Sequence, residues 1–90
     1  MNKERRKNLD ALMDRMNAMM AQVESIKEDI DTLRTDEEEY RDNMPESMQN
    51  GEKYEKADYA VDSMQNAIDE IENISSALED AINYLVEAKE

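Results

Sequence analysis

The sequence predicts an all-α fold, a long antiparallel two-helix hairpin that pairs with a second copy of itself into a four-helix bundle. Three observations carry this expectation. Through the first half, apolar residues recur at alternating three- and four-residue steps, at Leu9, Leu12, Met16, Met19, Val23, Ile26, Ile30, Leu33, Tyr40 and Met44, with Glu37 as the one charged exception. The second half repeats the pattern with Tyr54, Val61, Ile68, Ser75 and Ile82 in one column and Ala57, Met64, Ile71, Leu78 and Leu85 in the other. Between the halves lie the only Pro and the only Gly of the chain, Pro45 and Gly51. Steps of three and four are the a and d positions of a heptad, which lay one stripe of a helix against another helix.

Each element follows from local signals. The first helix is expected from about Lys3 to about Asn43, because nothing in that span breaks helical geometry; at about 1.5 Å per residue it is ~60 Å long. Pro45 disfavours a helical Met44 and suits the start of a short helical turn, and Asn50-Gly51 is a turn signal, so residues 44–51 form the connection. Met44 and Met48 are expected to plug the open end of the hairpin. The second helix is expected from about Glu52 to about Ala88. Two helices of equal length across a short connector favour an antiparallel pair, so residues 1–90 make one domain.

The second helix has a third column, Ala60, Ala67, Ile74, Ala81 and Ala88, which widens its apolar stripe beyond what one partner covers. Met13 and Met20 widen the first helix near its start. The expected oligomer seam is therefore Leu12, Met16, Met19, Val23, Ile26, Ile30 and Leu33 with Val61, Met64, Ile68, Ile71, Leu78, Ile82 and Leu85, and the strict heptad predicts left-handed supercoiling. In this frame Glu37 is satisfied by Arg34 and Arg41, and Ser75 marks a local rotation of the stripe with no special role.

Composition points to the same need for a partner. With no Cys and no His among 90 residues, neither disulfides nor a nitrogen-ligated metal can staple so thin a core. Self-association is the remaining device, and a homodimer is the expected form. No apolar run approaches the ~20 residues of a membrane span, and the basic start Lys3, Arg5, Arg6, Lys7 leads into no signal-peptide core, so the expected location is the cytoplasm, with no membrane partner.

Charge is the main functional signal. Eleven basic against 24 acidic residues give a net charge of −13, and from Ala57 to Ala88 there is no Lys or Arg at all. Such a surface repels nucleic acid directly and attracts proteins with basic grooves. The expected partner-binding residues are Tyr59, Asp62, Asp69, Glu70, Glu72, Tyr84 and Glu87, the two tyrosines acting as contact anchors.

No catalytic site and no cofactor is expected. Nucleophilic catalysis lacks Cys and His, and the serines stand without a general base. The acidic run Asp36-Glu37-Glu38-Glu39 radiates around its helix and lacks the spacing of a calcium loop. Glu38, Glu39 and Asp42, with Glu55 and Asp58 after the turn, resemble the E-E-x-x-E and E-x-x-D helices of MazG-type nucleotide pyrophosphohydrolases. That likeness implies magnesium held between helices, with Asp42 where the family has Glu; in the heptad frame these residues point mostly to solvent, which makes this the remote alternative.

The segment Asn43-Met-Pro-Glu-Ser-Met-Gln-Asn50, with the Met1-Asn-Lys-Glu-Arg-Arg-Lys start and the Ala-Ile-Asp-Glu-Ile-Glu pattern from Ala67, resembles small acidic helical proteins of Gram-positive bacteria and their phages. The likeness implies a phage or mobile-element setting and assigns no active residues. The function expected from these signals is a non-enzymatic inhibitor or adaptor that engages the basic surface of a host nucleic-acid-handling or defence protein. The alternative is a structural coiled-coil assembly module.

Overall fold

A computed structural model describes all residues, 1–90. Helix α1 spans Lys3–Asp42 and helix α2 spans Glu52–Lys89, with a single 3-10 turn, Glu46–Met48, between them. The protein is an all-α helical hairpin, and its helix ends fall within one residue of the expected ones. No strand interrupts it.

The element ends have local causes. Asn2 caps α1, its Oδ1 accepting a hydrogen bond from the Arg5 backbone N–H at 2.8 Å and so satisfying one of the orphan donors of the first turn. Pro45 holds an extended conformation, φ −56° and ψ 147°, which stops the helix and starts the 3-10 turn. The Met48 N–H donates to the Pro45 carbonyl at 2.8 Å, and the Gly51 N–H to the Met48 carbonyl at 3.0 Å. Gly51 does not take a left-handed conformation. Its use is close approach, since a Cβ there would meet the Met48 carbonyl oxygen at 3.2 Å.

The chain divides into two compact units. Unit 1 joins residues 1–25 to residues 71–90, and unit 2 is the continuous hairpin 26–70. In unit 1 the helical segments run antiparallel and in step: Asp10 pairs with Lys89, and two heptads further along Ser75 Oγ donates to Glu24 Oε1 at 2.7 Å. In unit 2 Arg41 Nη1 donates to Asp58 Oδ1 at 2.8 Å. Ser75 is thus a cross-helix register contact, which corrects the expectation that it has no special role.

The buried core is small. Met13 is its member in unit 1, and Met44, Ala57, Val61 and Ile68 are its members in unit 2, with Ala57 the most enclosed at 1% exposure. Met44 closes the turn as expected, but Met48 is more than two-fifths exposed, because the 3-10 turn carries it outward.

Which columns of α1 face α2 differs from the heptad expectation. The covered positions are Leu9, Met13, Met16, Met20, Val23, Lys27, Ile30, Arg34, Glu37, Arg41 and Met44, the a column together with e, and beside them Glu24 and Glu38. The d column, Leu12, Met19, Ile26, Leu33 and Tyr40, stands 44–60% exposed beside the interface. Two helices in contact cover two columns each, and α1 offers apolar or long amphipathic side chains in three. The e column wins inside the hairpin because it brings Met13 and Met20 inward in unit 1. In unit 2 it lets the aliphatic stem of Arg41 lie in the contact while its head reaches Asp58. On α2 every residue from Tyr54 to Leu85 at the a and d positions is buried or half-buried.

Candidate protein-binding surfaces

Basic side chains of α1 are spent on acids near the turn in unit 2. Arg34 donates through Nε and Nη2 to Asp31 Oδ1, at 3.1 and 2.9 Å, and through Nη1 to Glu38 Oε2 at 2.7 Å. Arg41 donates through Nε to Asp42 Oδ1 at 3.0 Å, besides its bond to Asp58. The hydrogen bond to Asp31 holds the Arg34 guanidinium above its ordinary pKa, and that to Asp42 does the same for Arg41. Because both are raised, their stabilising effect is complete below the ordinary arginine range and is lost only above it, so neither pair is a pH switch near neutrality.

These bonds correct one expectation and bear on another. Arg34 and Arg41 are engaged by Asp31, Glu38, Asp42 and Asp58 and so do not serve Glu37, whose neighbours at i+1 and on α2 offer better-aimed carboxylates. Of the carboxylates in the MazG-like pattern, Glu38, Asp42 and Asp58 turn toward guanidinium groups. No group of three or more acidic side chains converges as a cation cage would require.

All seven expected partner-binding residues are exposed. On α2, Glu72 lies at e, Asp62 and Asp69 at b, Tyr59 and Glu87 at f, Glu70 and Tyr84 at c. These four columns form one continuous arc of about 150° on the side of the helix away from α1. Tyr59, Asp62, Asp69 and Glu70 belong to unit 2, and Glu72, Tyr84 and Glu87 to unit 1. The tyrosines are 76% and 70% exposed, far more than a core aromatic. Comparison with protein-family models, with curated proteins and with solved structures finds no match to this chain. Its surfaces must therefore be read from their chemistry.

In unit 1 two of the expected contact residues gather around a recess. Tyr84 and Glu87 line a shallow polar depression with Asp80 and Asn83. Asp80 and Asn83 were outside the expected set, although the spacing 80, 83, 84, 87 places all four on one helical face and was readable from the sequence. Elsewhere on the arc, Gln65 Nε2 donates to Asp69 Oδ1 at 3.1 Å, which orients that carboxylate along the helix. No helix is long and apolar enough to cross a membrane.

Proposed function

We propose that this chain is a non-enzymatic protein-binding protein that uses the acidic outward arc of α2 to engage a basic, nucleic-acid-binding surface of another protein. Its setting is a phage or mobile element, its place the bacterial cytoplasm, and its target a host nucleic-acid-handling or defence protein. The observation that carries the reading is the one-sided chemistry of α2. Eight acidic side chains lie between Ala57 and Ala88 without one Lys or Arg, and the arc they line also carries two exposed tyrosines. A column of carboxylates on a rigid helix presents negative charge at spacings that a groove shaped for phosphates attracts over long range. Occupying that groove blocks nucleic acid from it.

The test is capture from a Gram-positive bacterial lysate at low salt, followed by a salt step and identification of what elutes. The expected result is one basic nucleic-acid-binding protein, released by salt because the contacts are charge pairs screened at high ionic strength. It is lost for a variant carrying Asp62→Lys, Asp69→Lys and Glu87→Lys, and the purified partner's affinity for DNA or RNA falls when the wild-type chain is added. Retention by the triple variant, or a partner that still binds nucleic acid in the complex, overturns the reading.

A second reading, a structural assembly module, is favoured by a different observation: the exposed d column of α1.

A further inference from the structure

Each unit leaves one face of its helix pair uncovered, which α1 lines with large side chains and α2 mostly with alanines. In unit 1, Leu12 and Met19 of α1 stand beside Leu85 of α2, and with Met16 and Arg15 they line a shallow apolar groove of about 310 Å³. The contribution of α2 to the same side is its g column, here Ala81 and Ala88, with the larger Ile74 at the inner end of the unit. In unit 2 the corresponding columns supply Leu33 and Tyr40 from α1 and Ala60 and Ala67 from α2.

The columns share a side for a geometrical reason. Within α1 the d column lies about 75° behind the centre of the a/e contact, and within α2 the g column lies about 75° behind the centre of the a/d contact. The offsets have the same sense along each chain, so reversing one chain's direction brings both onto one side. In unit 1 the groove joins Leu12 and Met19 to Leu85, a d residue of α2 on the flank next to the g column.

Register then matches large to small. The pairs Asp10–Lys89 and Glu24–Ser75 place Leu12 level with Ala88 and Met19 level with Ala81. The pair Arg41–Asp58 places Tyr40 level with Ala60 and Leu33 level with Ala67.

We infer that in each unit this face is covered by the same face of a second copy of the chain, related by a twofold axis running along that unit's helices, so that α1 of each copy lies over α2 of the other. A rotation about that axis exchanges the α1 and α2 sides while keeping every level. Leu12, Met19, Leu33 and Tyr40 of one copy then enter the spaces left by Ala88, Ala81, Ala67 and Ala60 of its partner. A twofold axis across the helices would instead stack α1 on α1, large against large. The chosen arrangement also makes every neighbouring helix antiparallel, which aligns opposite ends of the helix dipoles.

Area and charge name the same occupant. The chain exposes 6788 Å², against about 5,400 Å² expected of a compact monomer of this mass. The excess, about 1,400 Å² per chain, exceeds the ~800 Å² per partner of a standard stable interface and fits a homodimer. In a chain of net charge −13, the α1 d column has no charged residue from Leu12 to Tyr40 and the α2 g column none from Ala60 to Ala88. Another strongly acidic copy can approach this face without burying a carboxylate. At the rim the pairing brings Asp29 near Glu70 of the other copy, so salt tightens the association. The acidic arcs lie outside the pairing except at Glu70 on its rim, and the inference stands independently of the proposed partner.

The test is mass in solution by light scattering and sedimentation, with helicity followed by circular dichroism. The wild-type chain is expected at twice its 10.5 kDa, and the Met19→Lys/Leu33→Lys variant at 10.5 kDa with helicity kept. A wild-type monomer throughout the micromolar range, a tetramer, a variant that stays dimeric, or a variant that unfolds because these residues belong to the hairpin's own core each overturns the inference. The axis is tested in the Cys-free chain by mixing a Leu33→Cys chain with an Ala67→Cys chain and adding a short bis-maleimide. Efficient mixed cross-linking supports the axis along the helices, and its absence in a dimeric mixture excludes it.

Discussion

Replacing Val61 by Asp is expected to abolish the cooperative helical structure at 25 °C, read as loss of the 222 nm circular dichroism signal and of a sigmoidal melt. Val61 is 7% exposed, between Ala57 and Ile68, the other two buried members of α2. A carboxylate there loses its water, at a cost of several kcal/mol unless a cation compensates it. Arg41, the cation bonded to Asp58 one turn before Val61, already serves Asp58 and Asp42. The change also adds a negative charge to a chain of net −13. Against a stability of about 5–15 kcal/mol for an ordinary domain, and a core with no large side chain fully buried, that loss leaves little folded protein. Val61→Ala removes only the transfer and packing terms, about 1–3 kcal/mol, and is expected to melt lower but still cooperatively. Asp62→Asn, one residue on and exposed, is expected to leave the melt unchanged or slightly raised. A Val61→Asp chain that melts within a few degrees of wild type would show that this stripe is not the core.

Raising NaCl from about 10 mM to about 500 mM is expected to raise the melting temperature by about 5–10 °C at fixed protein concentration. Two electrostatic effects compete. Salt weakens the ion pairs, among them Lys56–Glu52, Arg34–Glu38 and Arg41–Asp58, which are exposed on at least one partner and individually weak. It also screens repulsion among acidic groups that outnumber basic ones by 13. The second effect wins because the surplus is concentrated along α2, where the segment from Ala57 to Ala88 contributes eight carboxylates and no Lys or Arg of its own. At about 10 mM salt the Debye length is ~30 Å, so each carboxylate on that helix feels several others; at the higher concentration it feels at most its neighbours on the same turn. A screening gain of about 1–2 kcal/mol produces the stated shift in a chain of this size. A flat or falling melting temperature would assign the net electrostatic contribution to the ion pairs.

These two measurements pull against the capture experiment in a useful way. Added salt is expected to stabilise the fold and tighten the pairing of copies while releasing a basic partner from the α2 arc. One titration thus separates the apolar face, which two like-charged copies share, from the acidic one, which attracts opposite charge.

The structure also separates what can be read locally from what cannot. Pro45 and the Asn50-Gly51 signal marked the turn, and the absence of any breaker from Lys3 to Asp42 marked α1, because capping, φ restriction and hydrogen-bond loss act within a few residues. The exposed arc with Tyr59, Asp69 and Tyr84 was legible for a similar reason: seven residues carry a helix through two turns, so charge periodicity predicts a face. The Asp80–Asn83–Tyr84–Glu87 recess was equally legible, since residues three and four apart share one helical face.

Helix limits, the place of reversal, the acidic excess and the existence of three candidate columns on α1 followed from the order of residues. Which of those columns faces α2 did not follow from it. Leu12, Met19, Ile26, Leu33 and Tyr40 outrank Met13, Met20, Lys27, Arg34 and Arg41 in hydrophobicity, yet the second set is covered. Hydrophobicity ranks single columns, whereas packing chooses a rotation of the whole helix. That rotation also has to bring Arg41 to Asp58 and Glu24 to Ser75, contacts 17 and 51 residues apart in the chain. Only the assembled pair evaluates such distant terms together, and the column it leaves outside is where a further helix can dock.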